Sequence, residues 1–183
     1  MLATMKRILL VLVMLLAVSA ASAQNEKWNV GIGGGFAIPT GTATNLAKTG
    51  FDGFVNATYS ITPRIALGLE YSYVYFKGKD FVEDFAHIDH MQMNAFVVKG
   101  FYFFSQRNLK PYIALSSGLY NNRIKETVTI NGKSATGKGD VNNFGYGVEA
   151  GIRFSKLGVG ASFNGSASDF HYFLINIGYT FSF

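Results

Sequence analysis

The chain has 183 residues, among them 21 glycines, 17 phenylalanines, 10 tyrosines and no cysteine, and its formal net charge is +5. This length fits one ordinary domain, and the weak, scattered positive charge excludes an extended basic interface for nucleic acid. The absence of cysteine excludes disulfide cross-links and a thiol-linked lipid anchor. Abundant aromatic residues and glycine favour an all-β chain.

Residues 1–23 have the pattern of a secretory signal peptide. Lys6 and Arg7 precede an apolar run of about 11 residues, and the segment closes with Ala-Ser-Ala, small residues where a signal peptidase cleaves. The apolar run is too short to cross a bilayer as a helix. We therefore predict an exported mature chain over residues 24–183.

Alternation of large apolar residues with small or polar ones predicts eight β-strands in the mature chain. In the first strand, Trp28, Ile32 and Phe36 share one face, and glycines occupy most of the other. The predicted strands, in chain order, lie in WNVGIGGGFAI, FDGFVNATYSI, IALGLEYSYVY, HIDHMQMNAFVVKGFYFF, PYIALSSGLY, FGYGVEAGIRF, LGVGASF and FLINIGYTFSF.

The fourth predicted strand alternates less regularly than the others. Met91, Met93, Ala95 and Val97 form its apolar face, opposite polar residues such as Gln92. We expect this apolar face to point the same way as the apolar faces of the other strands. The irregular pattern also predicts a bulge near Lys99.

The links between the predicted strands alternate between short and long. Tight turns cover residues 62–64, 105–110 and 155–156, and each lies between two longer polar links. This alternation predicts antiparallel, up-and-down strands, with the tight turns and both chain ends at one rim. The four longer links, expected at the opposite rim, cover residues 39–50, 77–86, 121–142 and 164–169.

The size of the apolar faces of the strands indicates whether the barrel is surrounded by water or by a lipid bilayer. The interior of an eight-stranded barrel is just wide enough for side chains to fill, so stripes of Phe, Tyr, Ile and Leu from eight strands do not fit inside it. Pointing outward in water, they would expose an apolar band far larger than a soluble monomer tolerates. We therefore predict an all-β, eight-stranded antiparallel up-and-down transmembrane β-barrel. A periplasmic β-sandwich is the alternative.

The distribution of aromatic residues supports a membrane-spanning barrel. Tyr73, Tyr75, Phe101, Phe154 and Tyr179 lie near strand ends, where interfacial girdles are found. An 11-residue strand tilted by about 40° spans roughly 28 Å, close to the apolar band of an outer-membrane barrel.

With its signal peptide, eight alternating strands, PYIALSSGLY and terminal YTFSF, the chain resembles the small outer-membrane barrels of the OmpA/OmpX type. It is most similar to the Bacteroidota outer membrane protein beta-barrel domain group. The resemblance implies the outer membrane of a Gram-negative bacterium, contact with its lipid and lipopolysaccharide, and recognition by the outer-membrane assembly machinery. It also implies that Ile177, Tyr179, Phe181 and Phe183 form the assembly signal.

Four charged residues are predicted to face the barrel lumen, because the alternation places them among the small and polar residues. A charge in so narrow an interior must be paired. Glu149 and Arg153 are four residues apart on one strand, roughly 13 Å, too far for a direct ion pair. We expect a cross-strand partner or a chain of contacts through Glu70. The predicted polar network comprises Asp52, Glu70, Glu149 and Arg153.

The link over residues 121–142 predicts a surface ribbon. Ile124, Val128 and Ile130 alternate with polar residues up to Asn131-Gly132, a strong hairpin-turn sequence. The ribbon offers an edge for strand addition by a protein partner or a cationic surface for anionic lipopolysaccharide; a solvated loop with no partner is equally open. Its candidate contact residues are Arg123, Lys125, Lys133 and Lys138.

These residues favour a monomeric structural or interaction protein, serving envelope integrity, surface adhesion or a larger outer-membrane complex. No catalytic residue, metal or cofactor is predicted. A lipid A-modifying enzyme, with His171 near Ser166, Ser168 and Asp169, and a narrow channel are the alternatives. The three histidines near the loop rim raise a metal site as a further alternative; they are His87, His90 and His171.

Overall fold

The computed structural model describes residues 27–82, 86–130, 133–166 and 170–183. The predicted signal peptide lies outside these residues. One short helix, α1 (Ala43–Leu46), follows the first strand. The strands are β1 (Trp28–Thr40), β2 (Ala47–Ser60), β3 (Ile65–Gly78), β4 (Asp80–Val82), β5 (Ala86–Phe103), β6 (Leu109–Ile130), β7 (Lys133–Phe154), β8 (Leu157–Ser166) and β9 (His171–Ser182).

Eight of these strands form a closed antiparallel barrel, as the alternation predicts. Each pairs with its neighbours along the chain, β3 pairs with β5, and β9 pairs with β1. The three-residue β4 pairs only with β5, outside the ring. At the closure, Trp28 and Phe183 exchange two backbone hydrogen bonds of 3.3 and 2.8 Å. Closure pairs the strand edges within the barrel wall and leaves none facing lipid.

The closing strands approach closely because β1 carries glycine on its lumen side. A Cβ atom on Gly35 would overlap the backbone carbonyl oxygen of Ile175 on β9. Glycine at this position therefore allows β1 and β9 to pair without local distortion.

The outer face of the barrel is an apolar band. Ile32, Phe36, Leu115, Phe144 and Ile177 are each more than half exposed and point away from the lumen. Such a surface is stable in lipid, where the closed strand ring satisfies its backbone groups. No helix among the described residues is long and apolar enough to cross a bilayer.

The fourth predicted strand, β5, faces the opposite way to our expectation. Met91, Met93, Ala95 and Val97 are buried inside the barrel, and Phe96 and Val98 point to lipid. Both faces of β5 carry apolar residues, so alternation alone leaves its orientation open. The expected bulge near Lys99 is also wrong, because the β5–β6 pairing is irregular between Ile88 and His90 and regular around Lys99.

The inward orientation of β5 also moves one predicted girdle residue. Phe101 is only 6% exposed and packs inside the barrel. Its ring lies 5.8 Å from Tyr112 and 6.1 Å from Phe103. Of the other proposed girdle positions, Tyr73, Phe154 and Tyr179 are exposed on the outer surface, and Tyr75 is half-buried beside His90.

The lumen is filled in layers along the barrel axis. Near the loop rim, Phe76 packs edge-on against Phe170 and Tyr172, with centroid distances of 5.4 and 5.7 Å. Near the tight-turn rim, Phe103 and Tyr112 form part of a second buried aromatic cluster. The side chains of Glu70, Lys99 and Glu149 lie between these two layers, whereas Arg153 packs against Phe103 of the tight-turn layer.

A sheet extends beyond the loop rim, as the ribbon prediction requires. β6 and β7 have 22 residues each and β9 has 12, a difference of ten residues or about 33 Å along the strand. β5 joins this extension and pairs with β6 as far as Ala86 opposite Val128. We call β4 and the parts of β5, β6 and β7 beyond the rim the ribbon. The turn at 131–132 lies outside the described residues.

Candidate functional site in the barrel lumen

Lys99 is the centre of the buried charges, and the sequence analysis did not single it out. Its Nζ atom lies 2.9 Å from Oε2 of Glu70 and 2.7 Å from Oε2 of Glu149. The three side chains are between 7% and 11% exposed. Glu70, Lys99 and Glu149 come from β3, β5 and β7, so one ammonium group links three strands. We call these three residues the charge cluster.

Neutral donors add to the contacts that Lys99 makes with the two carboxylates of the charge cluster. The Tyr112 hydroxyl donates to Oε1 of Glu149 at 2.6 Å, and the Asn56 amide donates to Oε2 of Glu70 at 3.2 Å. Each carboxylate therefore has both the ammonium group and a neutral partner. Such saturation makes a buried ion pair tolerable, because unpaired buried charges are costly.

The other two predicted lumen residues, Arg153 and Asp52, form no ion pair with the charge cluster in the described part of the chain. Arg153 packs over the ring of Phe103, with its Cζ atom 5.1 Å from the ring centroid. Both carboxylate oxygens of Asp52 are buried without a hydrogen-bond partner in the described part of the chain. The structure thus joins Glu70 and Glu149 through Lys99, and places Asp52 and Arg153 in the same lumen without an ion pair to them.

The space left around the charge cluster is small. Two cavities of about 40 and about 20 Å³ are lined in part by Glu70, Lys99 and Glu149. A water molecule needs at least about 10–15 Å³ of such volume, so each cavity holds a few waters at most. The apolar layer around Phe76 and Tyr172 separates these cavities from the loop rim.

The predicted assembly-signal residues lie on β9 and just after it. Ile177, Tyr179 and Phe181 are exposed on the lipid face, by 58%, 37% and 44%. Phe183 is partly buried and pairs with Trp28 through the backbone. These residues therefore form a continuous apolar stripe next to the closing seam.

Two of the four predicted surface cations are engaged in ion pairs within the ribbon. Arg123 binds Asp140 at 3.1 Å, and Lys125 binds Asp89 at 2.9 Å. The side chains of Lys133 and Lys138 lie outside the described part of the structure.

The histidines that raised the metal and enzyme alternatives are separated. His90 stacks on Tyr75 with a centroid distance of 5.6 Å, and His171 stacks on Phe163 at the same distance. The His87 side chain and residues Ser168 and Asp169 lie outside the described residues. The described residues hold no group of three metal-ligating side chains.

A closed eight-stranded barrel with an apolar outer band and a filled polar interior defines a small integral protein of the Gram-negative outer membrane. The family model described as outer membrane protein beta-barrel domain matches residues 8–181, and the chain belongs to this family. Among curated proteins, none matches the chain significantly.

Solved structures with the same fold include two small surface barrels. Neisserial surface protein A is 18% identical, with a TM-score of 0.57, and the match covers 85% of this chain and 97% of that one. Ail, the attachment invasion locus protein of Yersinia pestis, is 14% identical, with a TM-score of 0.58, covering 86% of this chain and 100% of that one. At these identities the similarity shows the fold alone.

Proposed function

We propose that this protein is a non-enzymatic, non-conducting interaction protein of the outer membrane, whose barrel anchors a ribbon that binds a protein partner by strand addition. The free edge of β7 is the observation that carries this proposal. β8 pairs with β7 only as far as Gly145 opposite Ser166, whereas β7 itself begins at Lys133. Among the described residues, about twelve positions of β7 thus have a neighbouring strand on one side only.

The free edge of β7 suits main-chain recognition. Unpaired backbone donors and acceptors along a strand edge are a template for another strand. Val141 is 53% exposed, whereas Gly145, four residues further along β7 on the same face, is buried, so the packed interior ends and the ribbon begins between them. An incoming strand therefore has access to this edge without entering the membrane.

Protein is favoured over lipopolysaccharide because two of the four candidate cations are already paired within the ribbon. Arg123 and Lys125 are paired with Asp140 and Asp89, so an anionic ligand would have to compete with these carboxylates. Ail has been crystallised with sucrose octasulfate, a heparin analogue, so a barrel of this fold binds a polyanion. Binding of a polyanion to this chain would instead indicate a charge-based surface on the ribbon.

A photo-activated cross-linking residue at Val141, introduced in the intact protein in cells, tests the strand-addition proposal. The matched control is Val159, which has the same side chain and a similar exposure of 54%, but lies on the lipid face of β8. We expect a discrete protein adduct from position 141 and none from position 159. Equal adducts at both positions, or lipid adducts alone, would contradict the proposal.

A shortened ribbon provides the second arm of the test. Replacing residues 124–139 by an Asn-Gly turn keeps the Arg123–Asp140 pair, which lies directly below. We expect the barrel to remain folded in the outer membrane while the partner adduct at Val141 disappears. An adduct that persists in the shortened protein would place the contact on the barrel rather than on the ribbon.

A further inference from the structure

A polar cavity lies at the tight-turn rim of the barrel, away from the ribbon and below the charge cluster. Its volume is about 120 Å³, larger than either cavity beside Lys99. Short turns of outer-membrane barrels face the periplasm, so this cavity is the periplasmic mouth of the lumen. Its lining residues are Asn29, Ser60, Thr62, Pro63, Phe103, Lys110, Arg153, Ser155, Thr180 and Ser182.

Two cations lie side by side on one wall of this mouth. Lys110 on β6 and Arg153 on β7 are direct partners in the antiparallel register, so their side chains share the lumen face. Like charges at directly opposite positions destabilise a sheet. Within the described part of the chain, neither side chain forms an ion pair or hydrogen bond, and Arg153 packs over the ring of Phe103. Glu149 attracts Arg153 from higher in the lumen but is itself paired with Lys99, so no carboxylate lines the mouth beside the two cations.

The rest of the cavity supplies hydrogen-bond donors and no carboxylate. Thr62 Oγ1 accepts from the backbone N–H of Ile65, so its own hydroxyl proton is available. The hydroxyls of Ser155 and Thr180 have no hydrogen-bond partner in the described structure. Two cations and three hydroxyl donors around one small cavity match an acceptor-only ligand with several oxygens.

We propose that this mouth binds a single phosphate group that enters from the periplasm. Arg153 and Lys110 bind its charge, and the surrounding hydroxyls donate to its remaining oxygens. A carboxylate has only two oxygens and would leave donors unsatisfied. Typical small-molecule pockets occupy roughly 300–1,000 Å³, so this cavity takes one ionic group rather than a larger ligand.

The side of the barrel wall on which the cavity lies determines whether the phosphate group comes from water or from a lipid. Its lining residues belong to the lumen faces of the strands, and the lipid-facing side chains lie on the opposite face of the wall. A headgroup held in the bilayer would have to bend around the rim to reach Arg153. The geometry therefore favours a water-borne phosphate group over a lipid headgroup.

Titration of the folded full-length barrel with inorganic phosphate tests the site. The barrel is held in phosphatidylcholine nanodiscs at constant ionic strength, and binding is followed by the backbone amide resonances of Ser155 and Thr180. We expect saturable one-to-one binding in the wild type. Lys110→Gln should weaken it about tenfold, the loss typical of one hydrogen bond to a charged group. The absence of saturable binding in the wild type would overturn the proposal.

The matched control is Lys156→Gln, which removes one positive charge from the same rim outside the cavity. An equal loss of phosphate affinity in both variants would show a diffuse rim charge and overturn the proposal. A stability measurement gives an independent readout. Without phosphate, Lys110→Gln should be at least as stable as the wild type because it removes the like-charge pair. A clear destabilisation would indicate an unrecognised partner of Lys110 and overturn the proposal.

Nanodiscs that contain phosphatidylglycerol distinguish the two sources of phosphate. If the site opens to water, free phosphate should bind equally well in these and in phosphatidylcholine nanodiscs. Strong competition by phosphatidylglycerol, lost in Lys110→Gln, would show that a lipid headgroup occupies the cavity and would overturn the assignment to a water-borne group.

Discussion

Replacing Lys99 by Met should destabilise the barrel more than any substitution of an exposed lysine. The change keeps an unbranched side chain, one heavy atom shorter, and removes the single ammonium group that pairs with Glu70 and Glu149. Two buried carboxylates would then remain, held by neutral donors from Asn56 and Tyr112 alone.

The size of the effect follows from the burial of the charge cluster. Lys99 is 9% exposed and its two partners are 11% and 7% exposed, so water screens the remaining charges weakly. Removing one partner of a buried ion pair costs about 3–5 kcal/mol. With a urea dependence of about 1–3 kcal/mol per molar, the midpoint of unfolding should fall by at least about 1 M.

The assay is urea unfolding of the barrel in lipid vesicles, read by its heat-modifiable migration on a gel. The exposed Lys156 at the β7–β8 turn provides the control, and Lys156→Met should change stability by no more than about 0.5 kcal/mol. Combining Lys99→Met with Glu70→Gln and Glu149→Gln should restore most of the loss, because the buried carboxylates are then gone. A Lys99→Met barrel within about 1 kcal/mol of the wild type would refute this account of the lumen.

Three further predictions concern closure, assembly and transport. Gly35→Ala should lower the free energy of unfolding by about 1–3 kcal/mol in the same urea assay, because the added Cβ overlaps the Ile175 carbonyl. Gly53→Ala, whose Cβ would meet only one atom at 3.9 Å, is its control and should be tolerated. Deleting Phe183 removes the two backbone hydrogen bonds with Trp28 and should reduce the folded fraction in the outer membrane. Phe183→Tyr keeps these bonds and should not reduce it. In planar bilayers the wild type should show no steady conductance, since the cavities beside Lys99 have only about 40 and 20 Å³; a stable open channel would contradict the filled lumen.

The barrel itself could be predicted from the sequence because most of its strands alternate over ten residues or more. Where one face is bulky and the other is rich in glycine, as from Trp28 to Ile38 or from Phe144 to Phe154, the inward face follows from size alone. β5 lacks this contrast, since Met91 and Met93 on one face oppose Phe96 and Val98 on the other. Its orientation depends on its pairing with β3 and β6, which no local pattern determines.

For the same reason, only two of the three residues of the charge cluster could be predicted from the sequence. Glu70 and Glu149 interrupt regular strands, so their position in the lumen follows from alternation. Lys99 lies in β5, where both faces carry apolar residues, so alternation does not place its side chain in the lumen. Residues far apart in sequence that meet by register on paired strands, such as Lys110 with Arg153 or Arg123 with Asp140, need the register itself to be known.

The seam between β1 and β9 also determines when the barrel can be completed. The Ser182 hydroxyl donates to Oδ1 of Asn29 across 153 residues of chain. A contact of such high sequence separation carries a large loop-closure entropy, and high contact order slows folding. Until β9 is in place, β1 and β8 each present an unpaired edge, so closure of the ring is the step at which the chain becomes protected from pairing with other strands.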